Sequence, residues 1–161
     1  MVDYLSYLDK ALVETLKNKC LTITTAESCT GGMVASSIVN ISGASEIFKE
    51  GYITYSNEAK ERVLGVKHET LEQYKAVSEE VAREMAEGAV NKAGADISVS
   101  VTGVAGPSKE DDKPVGLVYI GCCYKGITHV KECELSGDRH TIRCQSTKEA
   151  LKIVLDIVKT C

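Results

Sequence analysis

Apolar positions along this chain alternate between two periods, and each change of period marks a new element. Tyr4, Leu5, Leu8, Ala11, Leu12, Thr15 and Leu16 recur at helical spacing and predict a first amphipathic helix. Leu21-Thr22-Ile23-Thr24-Thr25 is β-branched and alternating, the pattern of a strand. Ala26 to Gly32 reads as a turn, and Met33 to Val39 begins a second helix. Glu50 to Tyr55 reads as a strand, after which Asn57 is placed to cap a short helix from Glu58 to Leu64. Ser78-Glu79-Glu80 has the form of a helix start, continuing to about Ala93 through Val81, Met85, Ala89 and Val90. Ile97 to Thr102 alternates as a strand does. Val115 to Cys123 is an apolar run suited to a central strand, with Ile127 to Leu135 as its hairpin partner across Tyr124-Lys125-Gly126. Asp138 then caps a long terminal helix with Leu151, Val154, Leu155 and Val158 on its buried stripe.

Helices and strands thus alternate until the late hairpin. The α/β class follows, as a three-layer α/β/α sandwich around a mixed, mostly parallel sheet of about five strands. Gly103 to Pro114, with its charged Lys109-Glu110-Asp111-Asp112-Lys113, reads as a surface loop inside one domain spanning residues 1–161. His68 falls in a polar turn and His129 in a strand.

Composition narrows the function classes. The 161 residues are 43% hydrophobic and 26% charged, the mix of a globular domain able to bury a core without crosslinks. With 5% aromatic residues, no Trp and one Phe, that core must be aliphatic. A net charge of −4 and no Lys/Arg run beyond two residues argue against nucleic acid as a partner. No stretch of about 18 apolar residues suits a membrane span. The polar start Met-Val-Asp-Tyr-Leu-Ser lacks the plan of a signal peptide. Seven cysteines, odd in number and without Cys-x-x-Cys spacing, speak against a disulfide framework or a zinc ribbon and point to the cytoplasm.

In open α/β sheets, sites gather beyond the carboxyl ends of the strands. Ala26-Glu27-Ser28-Cys29-Thr30-Gly31-Gly32 follows a strand and opens a helix, so its N–H groups can receive an oxyanion or phosphate. Ser28 or Cys29 can be a nucleophile there; equally, Ser28 or Thr30 can simply cap the helix. Lys60 falls in the first turn of a helix, where the helix dipole favours the neutral amine that a general base requires. Tyr55 stands just before and can relay or donate a proton, while an exposed Lys60 paired with Glu58 or Glu61 is the plainer alternative. Thr102-Gly103-Val104-Ala105-Gly106-Pro107 is a weak cradle signal after a strand. Arg139 and Arg143 share one face at a helix start, against the dipole, which an anionic ligand or Asp138 would explain. The three histidines lack metal-ligand spacing, and neither a Gly-x-Ser-x-Gly elbow nor a Ser-x-x-Lys motif occurs. A metal centre or a Ser-His-Asp triad is therefore not expected, and the base of any covalent mechanism is better sought in a lysine.

Taken together, these segments resemble the CinA C-terminal domain family, whose described members are nicotinamide-nucleotide amidases. The matching stretches are Thr25 to Gly32, Gly51 to Lys60, Ala76 to Glu79, Thr102 to Pro107, Lys113 to Gly116 and Ser136 to Arg139, in the family's order and spread over essentially the whole chain. The resemblance implies hydrolysis of the carboxamide of nicotinamide mononucleotide to nicotinate mononucleotide and ammonia, with no metal or other cofactor. It implies Ser28 as nucleophile with Lys60 and Tyr55 as its activating partners, and self-association as a dimer or trimer. Thr30, Gly31, Gly32, Thr102, Gly103, Ala105 and Gly106 are expected around the substrate, with Arg139 and Arg143 toward its phosphate. The oxyanion site falls to amides of Thr30-Gly31-Gly32 or Gly103-Val104. Full-length CinA proteins carry a further N-terminal domain similar to molybdopterin-binding proteins. This sequence shows no counterpart of it, so that domain and its ADP-ribose pyrophosphatase activity are expected to be absent. The alternatives are a catalytically silent competence- or damage-associated binding module, and an amidase for a different small amide.

Overall fold

The computed structural model describes residues 4–160; Met1 to Asp3 and Cys161 lie outside the described residues, as do the side chains of Tyr4 and Leu5 counted in the first helical stripe. The described elements run α1 (Tyr4–Asn18), β1 (Ile23–Glu27), α2 (Met33–Val39), a 3₁₀ turn (Ala44–Glu46), β2 (Tyr52–Ile53), α3 (Asn57–Leu64), α4 (His68–Tyr74), α5 (Glu79–Ala93), β3 (Ile97–Gly103), β4 (Leu117–Tyr124), β5 (Ile127–Glu134) and α6 (Arg139–Lys159). One sheet holds the strands in the order β2-β1-β3-β4-β5. β1 pairs in parallel with β2 and β3, while β4 runs antiparallel to both β3 and β5. Four of the five strands therefore point the same way, although the pairings divide evenly. The expected hairpin across Tyr124-Lys125-Gly126 is present, with Tyr124 opposite Ile127.

The layers follow from the alternation along β3. Ile97, Val99 and Val101 join the larger core, which takes in Leu12 and Leu16 of α1, Ile38 of α2 and Leu151 and Val154 of α6. The other face of the same strand is made of hydroxyls, yet it is buried too. Ser98 donates to the Ala86 carbonyl at 2.5 Å, Ser100 to Ala82 at 2.6 Å and Thr102 to Ala76 at 2.8 Å. Each hydroxyl that loses water thus gains a carbonyl of α5 or the segment leading into it, which removes the penalty of burying it. Small residues allow this closeness: a Cβ on Gly121 of β4 would meet Ser100 Oγ at 2.6 Å and the Ala82 carbonyl at 2.7 Å.

Several boundaries differ from the sequence expectation, each because of a distant partner. α3 is capped by Ser56, whose hydroxyl accepts the Ala59 N–H at 3.1 Å, one residue before the expected Asn57. His68 starts a helix, not a turn: Glu84 of α5 accepts the Lys67 N–H and the Thr70 hydroxyl, each at 2.8 Å, and so organises α4 from outside. Thr22 stays outside β1 because its N–H and hydroxyl both go to Asp96 at 2.8 Å. The expected strand Glu50 to Tyr55 shrinks to two residues at the sheet edge. β4 begins at Leu117, since Gly116, in the left-handed region at φ +93°, abuts the Leu135 carbonyl where any Cβ would fall 1.8 Å away. Ser78 and Asp138 cap α5 and α6 as expected. Among the described residues no helix is long and apolar enough to cross a membrane, and no disulfide forms.

Gly88 tests the close packing. An exposed helix interior favours Ala over Gly by about 1 kcal/mol. Here a Cβ on Gly88 would lie 1.8 Å from the Leu64 carbonyl at the end of α3. Gly88→Ala is therefore expected to lower stability by about 1–3 kcal/mol, the usual effect of overpacking. Thermal denaturation of the two proteins checks the sign.

Candidate active site

The carboxyl ends of β1, β2 and β3 lie together, and the antiparallel hairpin β4–β5 brings the start of α6 back to the same end. Ser28 follows β1 and its N–H donates to the Val101 carbonyl of β3 at 2.9 Å. Thr54 and Tyr55 follow β2, with the Thr54 N–H on the Glu27 carbonyl at 2.9 Å. Lys60 rises from the end of the first turn of α3. A cavity of ≈ 180 Å³ opens over them, with Ser28, Cys29 and Lys60 at its base, Thr102 to Gly106 and Ala76-Val77 as walls, and Tyr55, Ser108 to Glu110 and Arg139 around its mouth.

Lys60 is the unusual member. It is 1% exposed, and among the described residues no carboxylate lies within ion-pair distance of its amine. Nζ lies 3.1 Å from Ser28 Oγ, 3.0 Å from the Thr54 carbonyl oxygen and 3.4 Å from that of Tyr55. Two carbonyls can accept the two N–H bonds of a neutral amine, which leaves its lone pair for the Ser28 hydroxyl. Burial holds the Lys60 pKa below the ordinary lysine value, with the Glu110 carboxylate pulling the other way. The cause is thus chiefly desolvation, where the sequence suggested the helix dipole.

Cys29, the rival nucleophile, belongs to the hydrophobic core. Burial pushes its thiol up to about 12, so the reactive thiolate is essentially unpopulated near neutrality.

The turn carrying both residues is clamped by charges of opposite sign. Glu27, 1% exposed, accepts the N–H groups of Gly32 at 3.0 Å, Val34 at 3.1 Å and Ala35 at 2.9 Å, and so serves the start of α2. Arg143 donates from Nε to the Cys29 carbonyl at 3.0 Å and from its terminal nitrogen to Thr30 at 2.9 Å. Gly31 and Gly32 sit in the left-handed region at φ +58° and +99°, which lets the chain turn between these clamps.

The expected site residues divide accordingly. Ser28, Lys60, Tyr55, Thr102, Gly103, Ala105, Gly106 and Arg139 line the cavity. Thr30, Gly31, Gly32 and Arg143 do not line it: Thr30 is wholly buried, and Arg143 is engaged with carbonyls of the turn. The Gly31 N–H is taken by the Ser28 carbonyl, that of Gly32 by Glu27 and that of Val104 by Leu117. Among the described residues, Cys29 and Thr30 are left as turn amides without a backbone acceptor. Tyr55 reaches Lys60 only through its carbonyl; its phenol accepts from Arg139 at 2.9 Å, and the same guanidinium donates to the Gly106 carbonyl at 2.6 Å. Arg139 and Arg143 therefore face different partners, not one anion. Glu27, Thr54 and Glu110 escaped the sequence reading, because a carboxylate or carbonyl acts through neighbours that only the fold supplies. Among the described residues no three His, Cys or carboxylate groups gather as a metal-ligand set.

Comparison with known proteins bears on the family and the fold. The CinA C-terminal domain family model matches residues 5–158. A CinA-like protein of Kosmotoga olearia is 54% identical over 148 residues, covering 91% of this chain and 36% of that protein. A putative competence-damage inducible protein of Clostridium perfringens is 52% identical over 145 residues, covering 89% and 35%. The chain thus spans about a third of the length of these curated relatives. Among solved structures, a CinA superfamily protein from Klebsiella pneumoniae superposes with a TM-score of 0.96 at 31% identity, covering 99% of this chain and all of that one. One from Escherichia coli superposes with a TM-score of 0.93 at 36% identity, covering 98% and 93%.

The state of Cys29 is open to a direct check. In the folded protein, iodoacetamide at pH 7.5 is expected to label the exposed Cys20 and to leave Cys29 unmodified, as read by peptide mass spectrometry, until denaturant is added. Labelling of Cys29 at a rate near that of Cys20 would mean that its thiol is reachable and ionised.

Proposed function

We propose that this chain, which belongs to the CinA C-terminal domain family, hydrolyses the carboxamide of nicotinamide mononucleotide to nicotinate mononucleotide and ammonia. The observation that carries the reading is the buried Lys60 amine, 3.1 Å from Ser28 Oγ and, among the described residues, without a carboxylate in ion-pair distance. Ser28 Oγ attacks the carboxamide carbon while Lys60 Nζ takes its proton. The turn amides of Cys29 and Thr30 are the donors nearest in sequence for the oxyanion. The Lys60 ammonium then returns the proton to the departing nitrogen, the C–N bond breaks, and ammonia leaves an acyl ester on Ser28. Lys60 next takes a proton from water, whose oxygen attacks the ester, and returns it to Ser28 Oγ as the ester C–O bond breaks and the carboxylic acid departs.

The cavity volume fits a reaction on one ring. A dry cavity on the order of 150 Å³ is enough to hold benzene. A volume of ≈ 180 Å³ therefore accepts the pyridine carboxamide, leaving ribose and phosphate at the mouth beside Arg139. In this scheme Tyr55 is a positioning residue, holding Arg139 with its phenol and Lys60 with its carbonyl. Arg143 likewise orders the nucleophile turn and does not meet the phosphate.

Purified protein incubated with the mononucleotide is expected to release ammonia, and exhaustive chelation should leave the rate unchanged. Ser28→Ala should abolish release without lowering Tm appreciably. The rate should rise with pH as the Lys60 ammonium loses its proton and level off below the ordinary lysine pKa of 10.5, since burial lowers that pKa. Lys60→Arg, unable to lose its proton, should be inactive across that range. No ammonia from intact, folded protein would turn the reading toward a silent binding module.

The two arginines separate by substrate. Arg139→Ala is expected to lower kcat/KM for the mononucleotide roughly ten- to hundredfold while sparing residual hydrolysis of nicotinamide riboside, the loss of one charge-assisted contact to phosphate. Arg143→Ala should impair both substrates alike. An equal effect of Arg139→Ala on both would place the phosphate elsewhere.

A further inference from the structure

With Lys60 in the neutral form that a base requires, three charged side chains line the Ser28 cavity: Lys109 and Arg139 are cationic, and the third is Glu110. Cations alone would suit an anion, and the carboxylate breaks that pattern. Building on the amide-hydrolysis reading, we propose that Glu110 makes the site selective for a carboxamide on a positively charged ring, a pyridinium amide carrying an anionic tail, over the same amide on a neutral ring.

The local backbone is built to present this side chain. The Glu110 N–H donates to the Lys113 carbonyl at 3.3 Å, and the Lys113 N–H returns to the Glu110 carbonyl at 2.7 Å. Between them Asp111 and Asp112 both lie in the left-handed region, at φ 47° and 60°, the mark of a tight type I′ reversal. Asp tolerates that region better than most side chains. The reversal pins Glu110 at the cavity mouth, yet among the described residues no cation within ion-pair distance neutralises its carboxylate. Its field reaches the base of the cavity, where it is the strongest of the influences that keep a proton on Lys60. A cationic ring seated between Lys60 and Glu110 meets an opposite charge at the mouth, while its anionic tail lies toward Arg139 and Lys109. A neutral ring gains nothing from Glu110, and a cation without the tail meets the like charges of Lys109 and Arg139.

The test uses ligands that share every group except the ring charge: nicotinamide mononucleotide and its reduced, dihydropyridine form, whose ring is neutral. Calorimetric titration of Ser28→Ala protein removes turnover from the measurement. The oxidised ligand should bind about tenfold tighter than the reduced one, and less so at high salt, since Glu110 is exposed and screened. Adding Glu110→Gln should erase that preference by weakening the oxidised ligand alone. A preference that survives Glu110→Gln overturns the proposal. So does an equal loss for both ligands, which would mean that Glu110 acts only through Lys60, and so does binding of neither. Selective binding by Ser28→Ala with no ammonia from the intact protein would instead fail the hydrolysis reading and leave charge selection standing.

Discussion

A lysine amine held in the protein interior without a carboxylate is the constraint on which this site depends. Removing an ammonium from water is unfavourable unless a counter-charge replaces the solvent. Lys60 is given two backbone carbonyls and a serine hydroxyl instead. Such neighbours satisfy an amine but do not hold a proton on it as a carboxylate would. The resulting bias toward the neutral form is what a hydroxyl nucleophile needs, and a distant carboxylate at the mouth moderates it without sealing it.

That arrangement stands only because three loops stay in register around it. β1, β2 and β3 run parallel, so the segments leaving them start from one edge of the sheet. α3, which carries Lys60, is held by α5, and α5 with the segment leading into it is drawn onto β3 by three hydroxyl-to-carbonyl bonds and by glycine where a methyl group would collide. The position of Lys60 is therefore inherited from the packing of this face, where Leu64 of α3 and Val81 and Met85 of α5 share a second hydrophobic cluster with Ala26 of β1.

The nucleophile turn is ordered by a division of labour between charges. The N–H groups of Gly32, Val34 and Ala35 go to the Glu27 carboxylate, and the Cys29 and Thr30 carbonyls to the Arg143 guanidinium, each matched to the polarity it can accept. Both charged groups stand behind the turn, which leaves Ser28 facing the cavity with Lys60 beside it. Arg139, one helical turn before Arg143, instead ties the Tyr55 phenol to the Gly106 loop across the mouth.

The one-dimensional pattern was enough to establish the alternation of helices and strands, the late hairpin, the caps at Ser78 and Asp138, and the three loops that meet at the site. Each is a local property, set by side-chain period or by a hydroxyl or carboxylate a few residues from the N–H it accepts. Ser28 and Lys60 were legible as candidates for the same reason, through their place after a strand and in a first helical turn. What the chain alone left open depended on partners far along it. Helix α4 exists through Glu84. The two arginines of one helix face diverge because carbonyls from different loops reach them. Cys29 is kept as a thiol because burial disfavours its thiolate. Lys60 acquired its environment from burial among three loops and not from its own helix. Desolvation depends on everything that surrounds a group, so only the folded chain could decide which of these side chains would be reactive.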